Sequence, residues 1–280
     1  MILATLKSGI PVLLHHGGCS PLSRLGFEGS LLDLIKAGRD ELHLIQVASH
    51  GVQADPMPAP EDFDAPYYHP GKIVAVGLNY LDHAEEANMA VPTTPLIFTK
   101  FNNSITGPSD PIRIPEGLTS EVDYEVELAV VIGRAAKHVA LEEALDHVFG
   151  YTIMNDVSAR DIQFADKQWV RAKSLDTFGP MGPVIVTADE IPDPQVLELG
   201  CDVNGVALQK TTTKNMIFGV AVLIHELSKS FTLQAGDLII TGTPAGVGFI
   251  RKPPIYLKPG DRVRTWIQGI GEMNNPVEGV

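Results

Sequence analysis

Glu125 and Glu127 are the first residues in this chain whose type and spacing could do chemistry. They lie two apart in EVDYEVELAV, Glu121 to Val130, where even positions are apolar and odd positions start as acids, the period of a strand with one apolar face. Like charges on one strand face repel, so a buried row of carboxylates needs a compensating cation. Leu128 to Ile132 continue as a core strand and draw the pair inward, while a solvated outer strand face is the competing reading. Asp156 follows the apolar strand Tyr151 to Met154, where a third oxygen ligand is expected, although aspartate also ends strands as a plain turn residue. Three carboxylates are a hard, all-oxygen set that suits Mg2+, with Mn2+ or Ca2+ as substitutes, rather than zinc or copper. With a divalent ion they still leave one net negative charge, which Lys173 or Arg160 could neutralise, making the site ready for a small anionic, chelating substrate.

The elements that position these residues read as mostly strands. Lys72 to Val76, Leu96 to Phe98, Tyr151 to Met154, Val184 to Val186, Leu238 to Thr241 and a final strand Val263 to Gln268 all have apolar or branched runs. Asn204 and Gly205 form a two-residue hairpin turn between Leu197–Val203 and Val206–Gln209. Helical spacing marks Leu25 to Ala37, Leu141 to Val148, Ser158 to Asp166 and Ile217 to Ser230. Leu81 to Met89 is a short helix on which His83 and Glu86 share a face. Set between Gly77 and two prolines, Pro92 and Pro95, it reads as a mobile lid with few partners, or else as an ordinary surface helix. Close-set glycines in TGTPAGVG, from Thr241, would bring backbone amides near a ligand or a tight turn, without matching a nucleotide-binding spacing. Prolines at 56, 58, 60, 66 and 70 keep the stretch from Ala54 extended. A linker there divides residues 1–70, a small N-terminal domain, from a main domain 71–280.

A chain of 280 residues has ample core for this plan. Its formal net charge of −13, with no basic run, argues against a nucleic-acid partner. Only Cys19 and Cys201 occur, without metal-binding or disulfide spacing, which fits a reduced, cytoplasmic setting. No apolar run approaches the roughly 18 residues of a membrane span, and the N-terminus has no secretory cleavage pattern.

GLNYLDHAEE from Gly77, DYEVELAVVIG from Asp123, YTIMNDVSARDIQ from Tyr151, KSLDTFGPMGP from Lys173, VNG from Val203 and TGTPAGVG from Thr241 together resemble the fumarylacetoacetate hydrolase family, in the family's order. The resemblance implies a strand-rich α+β fold, a mixed β-sandwich roll of the fumarylacetoacetase C-terminal type, paired into a homodimer. It implies a metal triad at Glu125, Glu127 and Asp156 and a water-activating dyad at His83 and Glu86. It also implies an oxyanion-stabilising lysine at Lys173 and substrate contacts at Arg160, Gln163 and Thr243. Val76, Gly77 and Leu78 stand where large fumarylacetoacetases carry a further metal-binding aspartate, which favours the smaller acylpyruvase and dioate-isomerase branch. The expected function is therefore metal-dependent hydrolysis of a carbon–carbon bond in acylpyruvates. Decarboxylation or isomerisation of 2-oxo dicarboxylates is the alternative, and a catalytically silent metal- and carboxylate-binding protein is the third reading.

Overall fold

The computed structural model describes residues 1–280. Strand Val126–Ile132 lies inside a 12-stranded mixed sheet, antiparallel to both Val148–Asn155 and Leu238–Ile240. Its aliphatic run suits a strand covered on both faces. Even-numbered Val126, Leu128 and Val130 enter the larger core, while odd-numbered Ala129 and Val131 enter a smaller core on the other side. A second, five-stranded sheet closes the larger core with Leu199, Cys201, Val203, Val263 and Ile267. Its hairpin turns at Asn204 and Gly205, whose positive φ angles of 52° and 79° are those a two-residue primed turn requires. Helix Val220–Ser230 buries Val220, Leu223, Ile224 and Leu227 in the same core, each contributing about 1.5–3 kcal/mol. The architecture is strand-rich α+β with mixed sheets, as expected.

The smaller core shows how the N-terminal residues attach. Strand Ile2–Leu6 pairs antiparallel with Gly179–Thr187 and so extends the main sheet. Helices Leu31–Ala37 and Arg39–Ser49 bury Leu31, Leu34, Ile35 and Ile45 in the cluster that holds Ala129 and Val131. The proline-rich stretch is extended, but it lies along the sheet: Asp55–Pro56 pairs with Gly18–Cys19, and Phe63–Asp64 pairs with Thr5–Leu6. Interspersed Phe63, Ala65 and Tyr67 are buried, so this segment has apolar side chains to anchor it between its prolines. The segment before Gly71 thus shares a sheet and a core with the rest.

Four elements differ from the sequence reading. The helix expected from Leu25 begins at Leu31, because Gly26, at φ 90°, ends a one-turn 3-10 helix, Leu22–Leu25, and Ser30 then caps a new start with Asp33. Arg39–Ser49 is a further helix, not expected from the sequence. Leu141–His147 is 3-10 rather than α. A long strand, Gly271–Gly279, follows the one expected to be last; its polar sequence hides the buried alternation of Met273, Asn275 and Val277.

Candidate functional site

The acidic stretch does not run as one strand. Val122–Asp123 pairs with Ser158–Ala159, and Val126–Ile132 enters the large sheet, with Tyr124 and Glu125 between them. Asp156 donates its backbone N–H to the Glu125 carbonyl at 2.8 Å, and the Glu125 N–H donates to Asn155 Oδ1 at 2.9 Å. These two bonds set Glu125 beside Asp156 at the end of the neighbouring strand. Carboxylate oxygens of Glu125, Glu127 and Asp156 fall within 4.8 Å of one another. All three residues are buried, at 5%, 1% and 0% exposure, which removes the solvated-face reading.

Buried carboxylates this close require cations, and the fold supplies three. Lys173 Nζ donates to Glu125 Oε2 and to Asp156 Oδ2, each at 2.7 Å. Arg160 donates from Nε to Asp123 Oδ2 at 2.9 Å and places Nη2 2.5 Å from Glu125 Oε1. Lys100 Nζ lies 2.8 Å from Asp156 Oδ1, although its angle falls outside good hydrogen-bond geometry. Four acids, Asp123, Glu125, Glu127 and Asp156, against three cations leave one negative charge in excess.

Burial alone would raise the pKa of Glu125, but Lys173 and Arg160 outweigh it and hold the carboxyl down to about 2. Glu127 has no such partner. Burial, then the fields of Asp156 and Glu125, push its pKa well up, and Lys173 with the Gly242 amide offset this only in part. The oxygen donor set, and a carboxylate that is costly as an anion without more positive charge, both fit a hard divalent cation held by Glu125, Glu127 and Asp156.

The glycine-rich loop presents amides to these acids. Gly242, at φ 94°, donates its N–H to Glu127 Oε2 at 2.7 Å, and a Cβ there would stand 2.8 Å from the Asn79 Cβ. Gly246, at φ 100°, donates to Glu86 Oε2 at 2.9 Å, and its own Cβ would collide with the Leu208 carbonyl. Only glycine lets the chain approach so closely in that conformation.

Helix Leu81–Glu86 brings His83 and Glu86 to this loop, and it is not short of partners as the lid reading expected. Asp82 Oδ2 accepts from Thr211 Oγ1 at 2.9 Å, Glu86 is held by Gly246, and Ala84 is buried. Asn79, just before the helix, donates to the Thr241 carbonyl at 2.7 Å and to the Phe218 carbonyl at 3.0 Å. His83 Nδ1 is 3.8 Å from Glu86 Oε2, too far for a hydrogen bond, and is buried with no partner. Burial lowers the His83 pKa; Glu125 opposes this and Arg160 reinforces it, so the imidazole is neutral near pH 7.

The expected substrate contacts sit at the site with internal partners of their own. Arg160 Nη1 donates to Gln163 Oε1 at 2.9 Å, so Arg160 and Gln163 brace Glu125. Thr243 Oγ1 donates to the Val126 carbonyl at 3.1 Å and accepts from Gln209 Nε2 at 2.9 Å. Three members of the assembly were missed in the sequence. Asp123 is fully buried, accepts from Arg160 and from the amides of Tyr124, Gly248 and Phe249, and ties the acidic segment to the glycine-rich loop. Its signal was its odd position, in step with Glu125 and Glu127. Gln209 reaches from the second sheet to the Val126 N–H at 3.1 Å. Lys100, at the end of strand Leu96–Thr99, carried no signal beyond a polar residue after an apolar run.

Residues 72–278 match the fumarylacetoacetate (FAA) hydrolase C-terminal domain. The mitochondrial oxaloacetate tautomerase fahd2 of Xenopus laevis is 52% identical over 215 residues, spanning 76% of this chain and 67% of that protein. The solved fumarylacetoacetate hydrolase of psychrophilic Exiguobacterium antarcticum is similar with a TM-score of 0.88 and 39% identity, over 100% of this chain and 99% of that one. Maleylpyruvate hydrolase from Sphingobium sp. SYK-6, solved with manganese(II) ion and pyruvate, is similar with a TM-score of 0.84 and 31% identity, over 100% and 99% of the two chains. With most of its length matched and its acidic triad assembled, the chain belongs to the fumarylacetoacetate hydrolase family.

Proposed function

We propose that this protein is a divalent-metal-dependent isomerase of 2-oxo dicarboxylates that interconverts the keto and enol forms of a substrate such as oxaloacetate. The observation that carries the reading is the His83 imidazole, whose buried Nδ1 has no partner, set beside a carboxylate and lysine cluster. The 52% identity to an oxaloacetate tautomerase supports it over the carbon–carbon hydrolase expected first. A further support is that Glu86 accepts from Gly246 rather than from His83, so the pair lacks the hydrogen bond that would poise it to activate water.

A divalent ion held by Glu125, Glu127 and Asp156 would supply Lewis acidity that favours enolate over ketone. The chain's own residues do the rest. Neutral His83 accepts the proton from the carbon between the two carbonyl-bearing carbons, and the electron pair of that C–H bond forms the C=C bond as the keto oxygen takes up charge. The Lys173 ammonium offers that oxygen a hydrogen bond, and the imidazolium returns the proton to it. One proton leaves carbon and one reaches oxygen, so no water is consumed. Hydrolysis of an acylpyruvate is the second reading, supported by the likeness to a maleylpyruvate hydrolase. The cytoplasmic setting and homodimeric assembly expected from the sequence remain parts of this proposal; Cys19 and Cys201 are both free and buried.

The test follows the ultraviolet absorbance of enol oxaloacetate as it relaxes, with pyruvate and carbon dioxide measured in parallel. Faster relaxation without release of either product is expected. Pyruvate formed from an acylpyruvate, with no effect on oxaloacetate relaxation, would replace the isomerase with the hydrolase.

A further inference from the structure

We infer that Lys100 is a positioning residue that sets the charge of the site, making it select anionic oxo acids once the divalent ion is bound. Lys100 is 2% exposed and its side chain is wholly enclosed. Its Nζ faces three acceptors: Asp156 Oδ1 at 2.8 Å, the Val157 carbonyl at 3.3 Å and the Lys173 carbonyl. Two of these are hydrogen bonds to backbone carbonyls and the third is an ion pair with a carboxylate, so the group is held by protein on every contact and acts through its charge on Asp156 rather than by touching substrate. The contacts lie on both sides of the site. One holds the residue after Asp156, and another holds the backbone of the lysine whose own Nζ grips Asp156 and Glu125.

Lys100 also decides the sign of the loaded centre. With all four carboxylates ionised around a divalent ion, the three cations leave the loaded centre with one positive charge. Without Lys100 the loaded centre would be neutral. A fixed positive charge therefore opposes the metal and favours the anion that follows it. The two affinities should move in opposite directions when that charge is removed, which simple damage to the fold cannot do. This inference rests on the proposed function for the class of substrate, but its test is a binding measurement.

Mn2+ binding to the metal-free full chain, then oxalate binding to the Mn2+-loaded chain, would be measured by calorimetry for the parent, Lys100→Met and Lys100→Gln. The glutamine variant keeps an amide donor for the two carbonyls and removes only the charge, so it reads the effect if the methionine variant does not fold. Mn2+ affinity is expected to hold or rise, while oxalate affinity falls about a hundredfold or more, the scale of two unit charges about 6 Å apart at an effective dielectric near 20. Loss of both affinities together in folded Lys100→Gln would reduce Lys100 to a structural prop and overturn the inference. Unchanged oxalate affinity would overturn it as well. If the parent proved inactive on oxaloacetate, the isomerase reading would fall while these binding results stood.

Discussion

Replacing Glu127 with glutamine should make the metal-free protein relatively more stable as pH rises, and should cost it the metal. Two unit negative charges at the 4.8 Å limit of the triad repel by about 3.5 kcal/mol at an effective dielectric of 20, and Glu127 faces two such neighbours. Its folded-state pKa is accordingly raised well above 4.5, first by burial and then by Asp156 and Glu125. A carboxyl whose pKa is higher folded than unfolded contributes its full stability below the unfolded value and loses it as pH rises toward the folded one. From about pH 4.5 upward, the metal-free parent should therefore lose up to about 1.4 kcal/mol per pH unit relative to Glu127→Gln, which has no proton to release. For a chain of this size that is a relative Tm shift of roughly 3–5 °C per unit. Excess Mn2+ should stabilise the parent and leave the variant almost unmoved, with Mn2+ affinity down roughly a hundredfold, or about 2.7 kcal/mol. Thermal melts at several pH values between 5 and 8, with chelator and with Mn2+, measure all of this. Parallel loss of stability in parent and variant, or Mn2+ binding of parental strength in Glu127→Gln, would refute the reasoning.

Chelation should abolish activity, and Mg2+ or Mn2+ should restore it better than Zn2+, because the donors are all oxygen; full turnover in excess chelator would exclude the triad as a working site. His83→Ala should slow enol relaxation roughly a hundredfold or more, the scale of a positioned base, with Mn2+ affinity barely changed; a parental rate would remove His83 from the chemistry. Gln209→Leu should lower stability by about 1–3 kcal/mol for each buried group left unpaired, since the Val126 N–H and the Pro244 carbonyl both lose a partner; an unchanged Tm would show that water replaces the amide.

What was legible in the chain was whatever repeats with a short period or sits in a contiguous motif. Alternation in the acidic segment put Glu125 and Glu127 on one side of a strand, and a turn pair at Asn204 and Gly205 located a hairpin. The same alternation could not say that the strand breaks at Tyr124 and Glu125, because the break is made by a partner 30 residues away: Asn155 and Asp156 take the Glu125 backbone out of the ladder. Nor could it say which way the acids face, since a solvated row and a buried row read alike until the cations are counted.

Those cations come from three separate places, and this is why the site was only half visible. Lys173 and Arg160 lie in motifs near Asp156, whereas Lys100 arrives from an outer strand region 56 positions before it, after an apolar run that would end equally well in a surface lysine. Its burial depends on the sheet order, in which Leu96–Thr99 lies at the far end of the strand path from the N-terminal strands. The helix carrying His83 departs from expectation for a related reason. Counting glycines and prolines around it suggested a segment with few partners, but its acids find donors in a loop and a hairpin more than 120 residues later. Charge, unlike hydrophobic period, is balanced across the whole fold. A buried carboxylate therefore predicts that some cation or amide will meet it, and only the assembled chain says which.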